Sequence, residues 1–385
     1  MILLKNCHVI HADKREIVFN DILIDHERIK KLGTNLPEEQ HKVIDLKGAY
    51  VCPGFIDIAT EIGLVESGRR FEGNDSNEVN EEIIPGMKSL NGIYPFDIGF
   101  KEALSSGVTT VVVNSGGSNV IGAQSSALKT KITSIDHMIV DSSIDIKVTL
   151  GDEPKKWNQN SQTSPLSRMG IMNLLRTSLI KTKDYMENRA KGKVDSDLNY
   201  EALVRVLNKK IPFKVVANKA QDILSAIEIK KEFDIDVVID QCAEGYMVKE
   251  YLKEANIPVI VSSPLIDTSS LELINSRIDN AEILINEGIV VALSTHHPKI
   301  SSELLLFSSV MLMRDGLSIF DALRLITINP AKILNLYDRI GSIEEGKYAD
   351  IVVFDDLPTN TLSNIILTMI DGEIVFEGRS VYGEN

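Results

Sequence analysis

The side chains able to do chemistry in this chain are few, and their spacing excludes more than it allows. Histidine occurs seven times in 385 residues. His8, His11, His26 and His41 fall in the first fifty positions, which leaves His137, His296 and His297 for everything else. Adjacent side chains on an extended segment point to opposite faces, so His296 and His297 cannot easily share one metal ion. Cysteine does not fill the gap. Cys7, Cys52 and Cys242 lie far apart and form no CxxC pair, so they read as buried free thiols of a reducing cytoplasm rather than as a zinc or disulfide frame. No serine or cysteine sits in a GxSxG elbow, and the shortage of histidine limits the base partners a nucleophile needs. Gly116, Gly117 and Gly122 lack the helix-opening spacing of a phosphate cradle. Lys155, Lys156 and Trp157 read either as a lid that closes on a ligand or as a solvated turn.

Elements must position whatever remains. Over the first fifty residues an alternating pattern predicts strands at 9–11, 17–24, 28–32 and 43–46, punctuated by Asp13, Asn20, Asp21 and Gly33. That is too little chain for a core of its own. Partners are expected in strands at 349–354, 364–370 and 373–376, which gives one small β-domain from 1–50 and 340–385. Between them, over 51–339, short apolar strands alternate with helical stretches, the pattern of βα units around a parallel sheet. Eight strands are predicted, at 51–57, 108–114, 127–132, 145–150, 213–217, 236–239, 258–261 and 290–293. The third is the least apolar. Helices are predicted at 220–233, 246–255, 317–326 and 331–336 from apolar residues at 3–4 spacing. The polar stretch 188–199 reads as an exposed loop insertion.

The formal net charge of −14 argues against nucleic-acid or anionic-membrane partners, because phosphate backbones require clustered Lys and Arg. No run reaches the roughly 18–20 apolar residues of a spanning helix. The apolar start is broken at Lys5 and Asn6, too early for a leader core. The expectation is a cytoplasmic protein.

Three segments carry a resemblance. Pro53-Gly-Phe-Ile-Asp57 resembles the first barrel strand of the amidohydrolase superfamily, 327–334 (TINPAKIL) its post-barrel helix, and 341–354 (GSIEEGKYADIVVF) its return into a small β-domain. Shorter pieces at 73–78, 107–111, 119–122, 147–154, 167–170 and 244–246 resemble its imidazolonepropionase-like and dihydroorotase-like branch. The resemblance covers nearly the whole chain. It implies a (β/α)8 TIM barrel of the metal-dependent hydrolase type with a small β-sandwich domain built from both termini. It also implies hydrolysis of C–N bonds by a divalent metal at the C-terminal ends of the strands.

The ligands that the resemblance implies are not at their positions. His-x-His would occupy 59 and 61, where the chain has Ala59 and Glu61. Histidines would end the fifth strand at 216 or 218 and the sixth at 241; the chain has Val216, Asn218 and Gln241. The resemblance also implies an Asp at the end of the eighth strand that takes the proton from the attacking water, and His296 stands at that position. No metal and no other cofactor is therefore expected. Glu61 reads as a stray metal ligand or general base, or as a mouth-facing carboxylate paired with Lys147 or Arg69. Lys147 matches a Lys that, by the resemblance, contacts substrate or, if carboxylated, metal; without metal it reads as a partner for an anionic ligand or for Glu61. His296, whose ordinary pKa is about 6.5, reads as a metal-free general base or as a structural imidazole. Arg168, Asn218 and Gln241 are the candidate ligand-binding residues.

The leading expectation is a catalytically silent relative that binds a small molecule at the barrel mouth, as a homo-oligomer. The alternative is a hydrolase of a cyclic amide or deaminable substrate, working through Glu61, Lys147 and His296 without metal, or with a divalent ion such as zinc at a non-standard site. A partner subunit for an active paralogue is a third.

Overall fold

A computed structural model describes residues 1–68, 71–157 and 165–378, the side chains at 156, 157 and 315 excepted. The chain begins in a small sheet with β1 (Ile2–His11), β2 (Glu16–Asp25), β3 (Arg28–Gly33), β4 (Lys42–Asp45) and β5 (Tyr50–Pro53). The barrel follows, with β6 (Phe55–Thr60), β7 (Val108–Val113), β8 (Ile121–Lys129), β9 (Ile139–Thr149), β10 (Phe213–Ala217), β11 (Val237–Gln241), β12 (Val259–Ser262) and β13 (Val291–Ser294). The chain then returns through β14 (Ile351–Phe354), β15 (Ile365–Ile370) and β16 (Glu373–Glu377).

The small sheet runs β16-β15-β14-β5-β1-β2-β3, with β4 added beside β1. Hydrogen bonds join these strands into one branched sheet, where two sheets of a sandwich were expected. The branch has a local cause. The first half of β1 pairs with β4 and the second half with β5. The change of partner falls at Asn6, whose left-handed φ of 56° breaks the register. The apolar face buries Leu4, Val9, Ile22, Val51, Ile351 and Met369.

The barrel strands are neighbours in chain order, and β6–β7 and β9 through β13 pair in parallel. The third strand corrects the expectation of an all-parallel ring. It lies at Ile121–Lys129 rather than 127–132, and it is antiparallel to both β7 and β9. Its connections, 114–120 and 130–138, are shorter than the dozen or so residues a parallel crossover needs. Its weak apolar signal comes from Gln124, Ser125, Ser126 and Lys129, all buried and all bonded or ion-paired.

Helices α1 (Ile98–Ser105), α2 (Glu153–Trp157), α3 (Arg168–Ala190), α4 (Leu198–Leu207), α5 (Ala220–Phe233), α6 (Lys249–Glu254) and α7 (Asn280–Asn286) connect the strands. Helices α8 (Leu305–Met311), α9 (Ile319–Arg324) and α10 (Ile328–Ile333) follow the barrel. α5 is the helix its spacing predicts, burying Ile223, Ala226, Ile227 and Phe233. The expected loop 188–199 is shorter than foreseen, because α3 runs to Ala190 and α4 begins at Leu198 behind an Asp197 cap.

The predicted strand 51–57 is two strands in two sheets. β5 ends at Pro53, β6 starts at Phe55, and Gly54 carries the chain between them with its N–H on Asp350 O at 2.8 Å. A methyl group at Gly54 would sit 2.1 Å from Thr109 Oγ1. Nearby, buried Lys129 pairs with Asp350 and, at 3.2 Å, with Asp371, tying the barrel to the small sheet. Gly54→Ala is therefore expected to lose about 1–3 kcal/mol in urea unfolding through overpacking. Adding Thr109→Ser, which removes one methyl, should recover part of that loss.

Candidate functional site

The ends of the hydrogen-bonded barrel path, β6 and β13, meet through a carboxylate. Asp57, fully buried, accepts hydrogen bonds from Ser294 Oγ, Thr295 N, Thr295 Oγ1 and Ser302 Oγ. Ser294 Oγ also accepts from Ala59 N at 3.1 Å, and Glu61 N donates to His297 O at 2.7 Å. Ala59 and Glu61 therefore stand beside the residues that follow β13, at the barrel mouth.

His296 is held by the same junction. Its φ of 53° is left-handed, a conformation that costs a non-glycine residue on the order of 1 kcal/mol and persists only when its surroundings fix it. Its Nε2 lies 2.8 Å from Asp240 Oδ1. Because β12 separates β11 from β13, this bond passes over the inside of the barrel. Gln241 and Cys242 follow Asp240 in left-handed conformations too, and Gln241 N donates to Asp240 Oδ1 at 2.9 Å. Burial alone would raise the Asp240 pKa, but the His296 imidazole, with help from Lys214 and Lys147, holds it down at about 2. Asp240 is a carboxylate at any physiological pH. Nδ1 of His296 is buried and has no hydrogen-bond partner.

Two lysines share this interior. Lys214, 1% exposed, pairs with Asp145 at 3.0 Å and donates to Ile58 O at 3.3 Å on the far side of the ring. Lys147 donates to Ser115 O at 2.7 Å and stands 4.0 Å from Glu61 Oε1, the pairing expected for Glu61. The alternative partner, Arg69, lies outside the described residues. Asn218 Nδ2 donates to Gln241 Oε1 at 2.7 Å, leaving Asn218 Oδ1 buried without a partner. Gln241, Ser262, Val261, Ile266 and Asn280 wall a cavity of about 110 Å³ beside the ends of β11 and β12.

The structure thus brings Glu61, Lys147, His296, Asn218 and Gln241 to one end of the barrel. It does not bring Arg168 there as a free cation. Arg168 Nε–H is shared between the two carboxylate oxygens of Asp222 at 2.9 and 3.0 Å, its Nη2 donates to Glu272, and its Nη1 lies 3.5 Å from Asp152. Three carboxylates surround it. Lys155 pairs with Asp152, and the side chains of Lys156 and Trp157 lie outside the described residues. His297 is a packed imidazole against Gly99, and burial holds its pKa below the usual value despite Asp57, Asp97 and Glu303. His137 bonds Ser134 in the β8–β9 connection, at the opposite end of the barrel. The three thiols are buried and free, and burial pushes that of Cys7 up to about 12.

Sequence reasoning missed Asp145, Lys214 and Asp240. Their signal was visible as single charges inside otherwise apolar strands, Phe213-Lys214-Val215 and Ile239-Asp240. A buried charge in such a run is retained only with a partner. Asp240 also alters the picture of the sixth strand, since it, rather than Gln241, reaches across the interior.

The donor set does not fit a catalytic divalent metal. Position 59 offers no donor, Asn218 and Gln241 bond each other, and Asp240 and His296 are paired. Lys147 and Lys214 add positive charge where a cation would sit. Among the described residues no three His, Cys, Asp or Glu side chains come together to hold a metal ion. No helix among them is long and apolar enough to cross a membrane.

Comparison with known proteins places this geometry. A model described as the amidohydrolase family matches residues 237–375. An amidohydrolase of Hapsidospora irregularis is 22% identical over 390 residues, which are 93% of this chain but 40% of that protein. The chain thus spans less than half the length of that fungal relative. A 5'-deoxyadenosine deaminase of Methanobrevibacter smithii is 24% identical, covering 99% of this chain and 93% of its own. The crystal structure of an amidohydrolase from Thermotoga maritima superposes with a TM-score of 0.95 at 35% identity, over 98% of this chain and 100% of that one. With the barrel, the composite sheet and this likeness along the whole chain in agreement, the protein belongs to the amidohydrolase superfamily.

Proposed function

We propose that this chain binds a small neutral ligand at the barrel mouth and does not carry out the metal-assisted hydrolysis of its superfamily. The observation that carries this reading is the mutual pairing at the strand ends. Asn218 with Gln241 and Asp240 with His296 occupy each other where metal donors would have to converge. Ala59 completes the substitution, being a methyl group where the superfamily resemblance implies a histidine. Binding is supported by the cavity beside Gln241. Its walls combine apolar Val261, Ile266 and Leu273 with the amide of Gln241 and the hydroxyl of Ser262, the mixture small-molecule sites use. Elemental analysis of purified protein should find zinc, manganese and iron far below one equivalent per chain. Native mass spectrometry should find a bound small molecule that Gln241→Leu releases. Stoichiometric metal, with a hydrolytic activity that chelation removes, would sink this reading.

A second reading rests on one specific contact. Asp240 orients His296 through Nε2 and leaves Nδ1 without a partner, an arrangement suited to a metal-free base for a cyclic amide or a deaminable substrate. On that reading any turnover found should vanish in His296→Ala and fall in Glu61→Gln. Turnover untouched by both substitutions would exclude it.

The Asp240–His296 pair makes a prediction under either reading. The folded state depresses the Asp240 pKa from 3.8 to about 2. Its contribution to stability is therefore present above pH ~4 and is lost as pH falls toward 2. Asp240→Asn removes one partner of a buried pair and should cost on the order of 3 kcal/mol at neutral pH. It should also flatten the acid limb of a denaturant-midpoint profile between those pH values.

A further inference from the structure

Strands β9 and β13 are the fourth and eighth of the ring, so they stand opposite each other across the mouth. The segment that leaves β9 crosses that gap. Glu153, the first residue of α2, places a carboxylate oxygen against Gly117, where a methyl group would lie only 1.7 Å from it. Its other oxygen is 3.6 Å from Lys299 Nζ, in the connection after β13. One short helix rooted on β9 thus touches the connections after β7 and after β13. It is a strap over the mouth.

The root of the strap is an unusual ion cluster. Gly151 turns with a φ of +95°, and the Glu272 carboxylate packs against it, 3.1 Å from where a methyl group would be. Asp152 pairs with Lys155 within the strap and with Arg168 at the start of α3. Arg168 also holds Asp222 of α5 and Glu272 of the connection after β12. The charged groups at this point are Asp152 and Lys155 on the strap, Arg168, Asp222 and Glu272. Three carboxylates face two cations, in partly buried surroundings where an uncompensated charge is costly.

We propose that this Arg168–Asp152–Asp222–Glu272 cluster is a proton-sensitive latch that decides whether segment 151–157 stays across the barrel mouth. A proton on Glu272 leaves the cluster neutral and lets that carboxyl donate to Asp152. Its loss adds a negative charge beside two others and loosens the root of the strap. Burial, together with Asp152 and Asp222 and against the opposing pull of Arg168, pushes Glu272 up to about 7. The sign follows from that direction. A carboxyl whose pKa is raised above its usual 4.5 favours the ordered state at low pH, and that contribution is lost as pH rises through about 7.

What the strap covers rests on the mouth-binding reading above, but its opening does not need a ligand to be measured. Hydrogen–deuterium exchange of the full chain, corrected for intrinsic rates, reports opening of residues 150–157 between pH 6 and 8. Opening is expected to rise by about tenfold in all from pH 6 to pH 8, most of it below pH 7, because the linked slope runs from pH 4.5 up to about 7 and then levels off. Glu272→Gln and, independently, Asp152→Asn remove the surplus negative charge and should flatten the profile. A wild-type profile without slope, or a slope kept by both variants, overturns the latch. A flat ligand screen with a sloped exchange profile would discard the binding reading and keep the latch; the reverse combination would do the opposite.

Discussion

Closure of the barrel through Asp57 is the constraint on which the mouth depends. A carboxylate removed from water is costly unless its lone pairs are filled. Here four donors from Ser294, Thr295 and Ser302 fill them. The bonds run from the middle of β6 to the last residue of β13 and the residues after it, so the first and last strands are joined by one buried carboxylate. Ser294 serves it twice, since its hydroxyl also receives the Ala59 amide. With this junction fixed, the chain has a defined path through Thr295, and His296 is delivered in a left-handed turn over the interior. Without it, neither the reach of His296 to Asp240 nor the contact of Glu61 with His297 would be specified.

The interior above the apolar layer of Ile56, Ile58, Val112, Ile260 and Ala292 is then a problem in charge balance. Lys214 is answered by Asp145, Asp240 by His296, and Lys147 by a carbonyl and, at longer range, by Glu61. Each group has a partner on another strand or in the connection after one, which suits a low-dielectric site where pairing decides whether a charge is tolerated. The same pairing ties the strand ends to one another through hydrogen bonds and ion pairs. The proposed loss of metal chemistry is thus a property of the whole layer, because restoring a histidine at position 59 would leave both lysines in place.

The outer ring follows a different logic. Arg168, aligned by resemblance with a pocket residue, is a structural clamp because its fork geometry suits several carboxylates at once. It joins α3, α5, the strap and the connection after β12. Leu166, Met169, Leu271 and Ile274, close along the chain to the partly buried Arg168–Glu272 contact, are exposed.

Much of this molecule is local and so was legible along the chain. Apolar runs of four to six residues bounded by turn residues marked seven of the eight barrel strands, and 3–4 spacing marked α5 to the residue. The absence of histidine from positions 59, 61, 216, 218 and 241 is a fact of sequence, as is the small number of histidines, seven in the chain. Tertiary structure decided the rest. The direction of β8 depends on how short connections can be closed, and the division of 51–57 at Gly54 depends on Thr109, a residue of another strand. The partnership of Asp240 with His296 joins residues 56 positions apart. Whether Arg168 meets a ligand depends on Asp222 and Glu272, 54 and 104 positions away. Periodicity records which face of an element is buried, whereas a charge takes its role from the partner that folding brings to it.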